Sequence, residues 1–249
     1  MIIAECKNIR KYFPVERGYL KERKGVVKAV DGVTLKIEKG ETFGLVGESG
    51  CGKTTLGKII LGILKPEAGE INLATQRSQV IFQDPYNSLD PKMKIFDILG
   101  EGLILQRRDK RPGMRKRIEE VLDLVKLPEN SLKKYPHEFS GGERQRIAIG
   151  RAVLTDPEFI VCDEPISSLD VTIQLDILNL LKVIQNRFSI TYLFISHDLR
   201  VIKFMADRLA VMKEGRIVEE GSALKIYSNP IHPYTKLLLS SILDIYSDK

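Results

Sequence analysis

The feature that most constrains this chain is the run GESGCGKTT, which fits the phosphate-binding pattern G-x-x-x-x-G-K-[ST] at every position. An apolar segment typical of a buried strand, residues 42–46, precedes the run, and apolar residues at helical spacing follow it as far as Pro66. We call the run the P-loop, and it comprises Gly47, Glu48, Ser49, Gly50, Cys51, Gly52, Lys53, Thr54 and Thr55.

Each residue type in the P-loop has a physical role. Glycine lacks a Cβ, so the backbone can bend sharply and bring its N–H groups close to an anion. The helix that begins there adds a partial positive charge. Lys53 supplies a full charge for the β- and γ-phosphates, and the Thr54 hydroxyl can ligate Mg²⁺. A glycine-rich turn without a ligand is the competing interpretation, but the fixed positions and their flanks favour a site for a nucleoside triphosphate.

Composition narrows the class of protein. A chain of 249 residues can bury one large α/β core or two small ones. Its apolar runs are far shorter than the roughly 20 residues that span a bilayer, and no apolar segment near the start predicts a signal peptide. The three cysteines form no C-x-x-C pair, which argues against a zinc site or a disulfide framework. The net charge of +6 is compatible with nucleic acid or an anionic membrane, but an ordinary basic enzyme surface is preferred.

Hydrophobic patterning predicts an α/β fold with an inserted helical segment. Residues 1–9 and 26–40 have strand patterns, the second broken by a turn at Gly32, and the charged residues 16–25 between them predict a solvated loop. This β-rich lead-in is expected beside the main sheet. Residues 89–139 have helical periodicity and predict an insertion, and residues 221–249 predict a helical tail interrupted by prolines.

A second candidate anion site lies at SGGERQ, which follows the insertion. Ser140 and Glu143 have the spacing of a capping box, so a helix is predicted to start here. Capping does not require Gly141 and Gly142. These glycines leave the backbone exposed at the start of a helix, and such a position suits an anion. With a complete P-loop elsewhere in the chain, this arrangement suggests a nucleotide held from two sides.

Three further strands are predicted to end in polar residues. The strand 159–162 precedes Asp163 and Glu164, which fit the roles of a magnesium ligand and of the group that activates the attacking water. The strand 190–195 precedes His197, which could contact the γ-phosphate or serve as an ordinary loop residue. The strand 79–82 precedes Gln83, where a polar side chain could meet metal or water. An aromatic near residue 13 could stack on adenine, and it is equally compatible with the edge of a core.

The order of these motifs resembles that of the ATP-binding-cassette (ABC) ATPases, and SGGERQ is the discriminating part. The similarity runs from end to end. It implies the ABC ATPase fold, in which a RecA-like P-loop NTPase core carries an antiparallel β-subdomain and a helical insertion. On that basis we expect one domain, with the core at residues 1–88 and 140–228, the helical subdomain at 89–139 and a tail at 229–249.

The resemblance also implies residue roles. Phe13 matches the adenine-stacking aromatic, with Tyr12 as the alternative, and ATP with Mg²⁺ is the expected ligand. Gln83 is expected to sense metal and water, and His197 takes the catalytic place suggested above for contact with the γ-phosphate. The segment from Ser140 to Gln145, including Gly141 and Gly142, would close over ATP held by a partner cassette, and Asp170 would bridge the two subunits.

Two stretches, FQDPYNSLDPKM (82–93) and NPIHPYT (229–235), resemble the ATPase subunits of bacterial oligopeptide, dipeptide and nickel importers. This similarity implies a peripheral protein at the cytoplasmic face of the membrane. Its expected partners are permease subunits and a sister ATPase, with a homodimer as the alternative, and a substrate-binding protein acts indirectly. The competing function is a soluble ABC-type ATPase that acts on nucleic acid or ribosomes. That class normally needs two cassettes in one chain or a long coiled-coil insertion, whereas this sequence has one cassette and no sustained heptads. No nucleic-acid partner is therefore expected, and the sequence does not identify the cargo.

Overall fold

The computed structural model describes residues 1–17, 22–105 and 111–243. The strands are β1 (Ile2–Arg17), β2 (Glu22–Glu38), β3 (Thr42–Val46), β4 (Ala68–Leu73), β5 (Ser78–Ile81), β6 (Phe159–Asp163), β7 (Thr191–Ser196), β8 (Arg208–Lys213) and β9 (Arg216–Ser222). The α-helices are α1 (Lys53–Ile60), α2 (Pro85–Ser88), α3 (Ile95–Leu105), α4 (Arg111–Leu124), α5 (Gly141–Val153), α6 (Val171–Phe188), α7 (Leu199–Met205), α8 (Ala223–Ser228) and α9 (Pro233–Leu243).

The chain divides into two compact units, which are described separately. The first unit comprises Met1–Gln76 with Thr191–Lys249, and the second comprises Arg77–Ile190. The subdomain boundaries expected from the sequence remain a prediction.

The first unit contains an antiparallel sheet with the strand order β2-β1-β4. The expectation of a separate β-rich lead-in is confirmed, but the predicted loop at 16–25 is wrong at both ends. β1 continues to Arg17 and β2 begins at Glu22, while residues 18–21 lie outside the described part of the chain. Backbone pairing continues here as a two-stranded ribbon, with Phe13 opposite Val27. Val26 and Val27 are exposed, so this part of the strand has no buried face that would produce a strand pattern in the sequence.

The predicted turn at Gly32 is also wrong. β2 runs through this residue, which has a φ of 78°, and the pairing with β1 shifts register nearby. A glycine with positive φ at a register shift is typical of a β-bulge, which bends a strand without ending it.

The same unit contains parallel strands in the order β7-β3-β8, with β9 antiparallel to β8. All five residues of β3 are buried. α1 is shorter than predicted because it ends at Ile60, and Gly62 follows in the left-handed conformation that terminates many helices. β8 and β9 form a hairpin that turns at Glu214 and Gly215.

The second unit contains the parallel pair β5 and β6 and the helices α2 to α6. The helical character predicted for residues 89–139 is confirmed by α3, α4 and two short 3₁₀-helices. Both α3 and α4 contact α5, and Gly150 allows close packing because a Cβ there would meet Val121 at 3.1 Å. Prediction and structure also agree on the start of α5 at Gly141.

The predicted helical tail forms α8 and α9, and its last residues, 244–249, lie outside the described part of the chain. Pro233 does not interrupt a helix but begins α9, where its missing N–H costs no hydrogen bond. Within the residues that the structure describes, no helix is long and apolar enough to cross a membrane.

Candidate functional site

The P-loop connects β3 to α1, and close packing explains two of its glycines. A Cβ on Gly47 would overlap the carbonyl oxygen of Met212, and a Cβ on Gly52 would overlap that of Ala29. Gly50 differs, because a Cβ there would meet open space, although its φ of 81° favours glycine. The outer turn of the P-loop is therefore accessible while its two ends are held against neighbouring backbone.

The positive end of α1 suits an anion. Gly52 caps the helix without a side-chain hydrogen bond, and the first turn contains no acidic residue. Lys53 is only 4% exposed, and its Nζ donates to the carbonyl oxygens of Gly47 and Glu48, each at 2.8 Å. The ammonium thus lies within the curve of the loop, as expected for a group that binds phosphate. Because uncapped N–H groups and a cation converge, the residues fit a nucleotide phosphate chain.

His197 lies beside the P-loop in the strand register. Val46, the last residue of β3, pairs with Ser196, the last residue of β7. Gly47 and His197 therefore each follow the carboxyl end of one of two adjacent parallel strands. Open α/β sheets bind ligands at these strand ends. His197 is exposed.

The two candidate aromatics differ in their surroundings. Phe13 is 37% exposed, whereas the Tyr12 hydroxyl donates to the Asp31 carboxylate at 2.6 Å. This hydrogen bond, together with that from Arg216, lowers the pKa of Asp31 to about 2. The geometry favours Phe13 as the ring available to adenine, and the stacking itself remains a prediction. A cavity of about 710 Å³ lies beside Gly50, and its lining includes Val27, Lys28 and His232.

In the second unit, SGGERQ forms the predicted capping box. The Ser140 hydroxyl accepts the Glu143 N–H at 3.3 Å, and the Glu143 carboxylate accepts the Ser140 N–H at 2.8 Å. The hydrogen bonds from Ser140 hold the pKa of Glu143 below its usual range. Gln145 is fully buried, unlike the exposed Ser140 and Gly141, so this geometry does not support direct contact of its side chain with nucleotide.

Three candidate polar residues of the second unit lie at one sheet edge. Ile81 at the end of β5 pairs with Cys162 of β6, so Gln83 and Asp163 both follow paired strand ends. Asp163 is buried, and Glu164 is half-buried with a φ of 48°. A residue other than glycine rarely has such a backbone conformation, and examples cluster at functional sites.

Asp170 has a structural role that the sequence analysis did not assign. It caps α6, and its carboxylate accepts the Ile173 N–H at 3.1 Å. Leu169 and Ile173, on either side of the cap, face the backbone of Gly141 and Gly142 respectively. The structure thus brings Asp170 and the two glycines together within the second unit.

No group of three or more His, Cys, Asp or Glu side chains that could hold a metal occurs in the described part of the chain. Mg²⁺ in nucleotide sites is commonly bound through one or two protein groups together with phosphate oxygens and water. The donor types of Thr54, Gln83 and Asp163 fit that kind of binding, which remains a prediction.

Two contacts were missed by the sequence analysis. The Tyr234 hydroxyl reaches the P-loop, where it accepts the Glu48 N–H at 3.3 Å. In the second unit, the Arg144 guanidinium lies 3.8 Å from the centre of the Tyr86 ring. In the sequence, NPIHPYT indicated only a resemblance to peptide and nickel importers. No local pattern links Tyr234 to Glu48 or Arg144 to Tyr86, because the partners are far apart in the chain.

Comparisons with known proteins show the family to which the chain belongs. Residues 30–167 match the ABC transporter family, and residues 218–249 match the C-terminal region of oligopeptide/dipeptide transporters. The oligopeptide transport ATP-binding protein OppF of Bacillus subtilis is 46% identical over 257 residues, covering 96% of this chain and 82% of OppF. The dipeptide transport ATP-binding protein DppF of Haemophilus influenzae is 42% identical over 248 residues, covering 94% and 76%.

Two solved structures share the fold. A dimeric ATP-binding cassette, MJ0796, bound to ADP and phosphate in a post-hydrolysis state, has a TM-score of 0.75 and 28% identity, and it covers 88% of this chain and 98% of its own. The cbiO1 protein of Clostridium perfringens, part of the transporter complex cbiONQ, has a TM-score of 0.76 and 25% identity, with coverage of 98% for both chains. The chain therefore belongs to the ABC transporter family, as an ATPase cassette that binds and hydrolyses ATP.

Proposed function

We propose that this chain is the ATPase subunit that drives a bacterial importer of oligopeptides or dipeptides. The observation that carries the proposal is a complete P-loop in a chain whose residues 218–249 match the C-terminal region of oligopeptide and dipeptide transporters. The relatives OppF and DppF, named for oligopeptide and dipeptide transport, support the same cargo class. Nickel, which the sequence analysis included, has no support from these relatives.

The proposed chemistry is hydrolysis of MgATP. The P-loop binds the phosphates, with Lys53 at the β- and γ-phosphates, and Phe13 stacks on adenine. Thr54, Gln83 and Asp163 would hold Mg²⁺ directly or through water, and the ion, when bound, would supply positive charge at the phosphates. Glu164 orients and deprotonates the attacking water, and His197 contacts the γ-phosphate. The roles of Gln83, Asp163, Glu164 and His197 rest on residue type and on places at or just after strand ends. Those of Lys53, Thr54 and Phe13 rest on the match to the motifs of ABC ATPases.

The proposed assembly is a pair of cassettes. Gly141 and Gly142 of one cassette offer backbone N–H groups to nucleotide bound by the P-loop of another, and Asp170 lies at the same surface. The preferred partner is a sister ATPase, and membrane permease subunits receive the motion. The chain would then be peripheral at the cytoplasmic face of the membrane, and a substrate-binding protein would contribute indirectly.

Reconstitution tests this proposal. The chain is assembled with its permease subunits and sister ATPase in proteoliposomes, and ATP hydrolysis is measured with binding protein that has been loaded with peptides of different lengths or with Ni²⁺. We expect peptide to stimulate hydrolysis and to enter the vesicles only with ATP, and we expect Glu164→Gln to abolish both. Stimulation by Ni²⁺ alone, or no transport of any peptide despite active ATPase, would contradict the proposed cargo.

A further inference from the structure

The segment NPIHPYT, residues 229–235, comprises the connection after α8 and the first residues of α9, and it reaches the P-loop within the first unit. Tyr234 is 5% exposed, and its hydroxyl oxygen accepts the backbone N–H of Glu48 at 3.3 Å. Burial raises the pKa of this phenol, so the hydroxyl stays protonated at neutral pH. A tyrosine from the C-terminal part of the chain thus contacts the second residue of the phosphate-binding pattern.

Glu48 is held from two directions. Its N–H points to Tyr234, and its carbonyl oxygen accepts a hydrogen bond from Lys53 Nζ at 2.8 Å. Lys53 is the cation of the P-loop, so one backbone residue joins Tyr234 to the group expected at the phosphates. The Glu48 N–H, being used by Tyr234, is not among the donors that remain for an anion.

The position of Tyr234 is itself fixed by β8 and β9. The Tyr234 N–H donates to His232 Nδ1 at 3.1 Å, and the His232 N–H donates to the Glu219 carboxylate of β9 at 3.0 Å. The Lys213 ammonium lies 4.9 Å from the centre of the Tyr234 ring, within range of a cation–π interaction.

The turn that joins β8 to β9 contacts the P-loop directly, because the Gly215 N–H donates to the Cys51 carbonyl at 3.0 Å. The hairpin and NPIHPYT therefore hold the loop at two different residues.

We propose that Tyr234 is a positioning residue of the ATP site. It fixes the Glu48 backbone, and through it the Lys53 ammonium, in the arrangement that receives the triphosphate. The inference rests on the proposed role of the P-loop as the phosphate site. Without the Tyr234 hydroxyl, the Glu48 N–H loses its acceptor and the first turn of the loop can rotate. Binding then has to order the loop again, which lowers the affinity for nucleotide.

The test is Tyr234→Phe, which keeps the ring and removes only the hydroxyl. The dissociation constant of MgATP and of inorganic tripolyphosphate is measured by calorimetry on the full chain. We expect both constants to rise roughly three- to tenfold, the range for one hydrogen bond. In the steady state KM should rise while kcat stays within about twofold.

The matched control is Tyr227→Phe. The Tyr227 hydroxyl donates to the Leu199 carbonyl, so this variant removes a similar hydrogen bond from the same part of the chain without touching the P-loop. We expect it to leave both dissociation constants unchanged. Glu219→Gln is a second probe, because it weakens the anchor of His232 and should shift affinity in the same direction as Tyr234→Phe.

Lys53→Ala separates this inference from the proposed function. If Lys53→Ala binds MgATP as the wild type does, the proposed phosphate site fails. If Lys53→Ala loses binding but Tyr234→Phe and Glu219→Gln match the wild type, only the role of Tyr234 is overturned. Equal weakening by Tyr227→Phe and Tyr234→Phe would also overturn it, since the effect would then be general loosening of the fold.

Discussion

Gly142 packs directly against Ile173: a Cβ at Gly142 would stand 2.6 Å from Ile173 Cγ2. The neighbouring Gly141 has more room, because the atom nearest to its Cβ position is Leu169 Cδ2 at 3.4 Å. Packing therefore accounts for the second glycine of SGGERQ and not for the first. Gly141 is exposed at the start of α5, where a bare backbone suits an anion.

This difference allows the two glycines to be separated by mutation. Gly141→Trp should leave the fold and ATP binding intact but lower the kcat of the assembled pair roughly 10²-fold or more, because the indole blocks the partner's nucleotide from the backbone N–H donors. Gly142→Ala should instead lower the free energy of unfolding by about 1–3 kcal/mol through overpacking. Thermal melts, nucleotide titration and turnover of each variant provide the comparison. Full activity of Gly141→Trp would remove this residue from the site.

Glu164 and Glu214 are a matched pair of glutamates, because both have a φ of 48°. Glu164→Gln should keep ATP binding and lower kcat roughly 10²-fold or more, the range for a general base. Glu214→Gln makes the same chemical change at the same backbone conformation in the β8–β9 turn, and we expect it to leave kcat unchanged. Single-turnover hydrolysis of both variants is the measurement. Similar kcat values for the two would exclude Glu164 as the base.

Phe13 and Tyr12 can also be distinguished. Phe13→Ala should raise the KM for ATP roughly tenfold, in line with about 1–3 kcal/mol of lost stacking on a base, and kcat should change little. Tyr12→Phe removes the hydroxyl bound to Asp31 and should leave KM near the wild-type value. If only Tyr12→Ala raises KM, the stacking ring has been assigned one residue too late. Initial rates over a range of ATP concentrations decide between them.

Asp31 should make the free energy of unfolding depend on pH under acidic conditions. Its pKa of about 2 lies below the value of about 3.9 expected in the unfolded chain. The unfolded state therefore binds the proton more readily, so the stabilisation is complete above pH ~4 and is lost as the pH falls towards 2. Asp31→Asn should be less stable than the wild type at neutral pH, and the difference should shrink below pH ~4. Chemical unfolding at several pH values is the measurement, and a constant difference would contradict it.

The sequence predicted the parts of the fold in which local chemistry and burial agree. β3, β6 and β7 are mainly apolar strands that are wholly buried, and the capping box at Ser140 is a short-range pattern. It failed at the ribbon of β1 and β2, where pairing with the other strand, and not a buried face, keeps the backbone extended. It also overextended α1, because Ile63 is apolar but exposed.

The site shows the same limit. Motifs predict the P-loop and the role of Glu164, because each motif consists only of neighbouring residues. The contact of Tyr234 with Glu48 joins residues 186 positions apart, and the burial of Gln145 depends on surrounding packing. Neither leaves a pattern of spacing in the sequence.

The final prediction is that one chain holds half of each of two ATP sites. The P-loop belongs to the first unit and SGGERQ to the second, and each offers backbone N–H groups at the start of a helix. If the two helix starts act on different nucleotides, a single chain cannot complete a site. Specific activity of the isolated chain should then rise with protein concentration over a roughly hundredfold series, and rise further when the sister ATPase is added.

Mixing two inactive variants provides the sharper test. Lys53→Ala lacks the P-loop cation but keeps Gly141, whereas Gly141→Trp keeps Lys53, so a mixed pair contains one complete site. Each variant alone should be inactive, and the mixture should recover part of the wild-type activity because the intact halves come from different chains. A mixture of Lys53→Ala with Glu164→Gln is the control. Lys53 and Glu164 act on the nucleotide bound by their own chain, so each of the two sites in this mixed pair lacks one of them. This mixture should therefore stay inactive. Activity that is independent of dilution would show that one chain completes its own site, and no recovery in the first mixture would contradict a site shared between two copies of this chain.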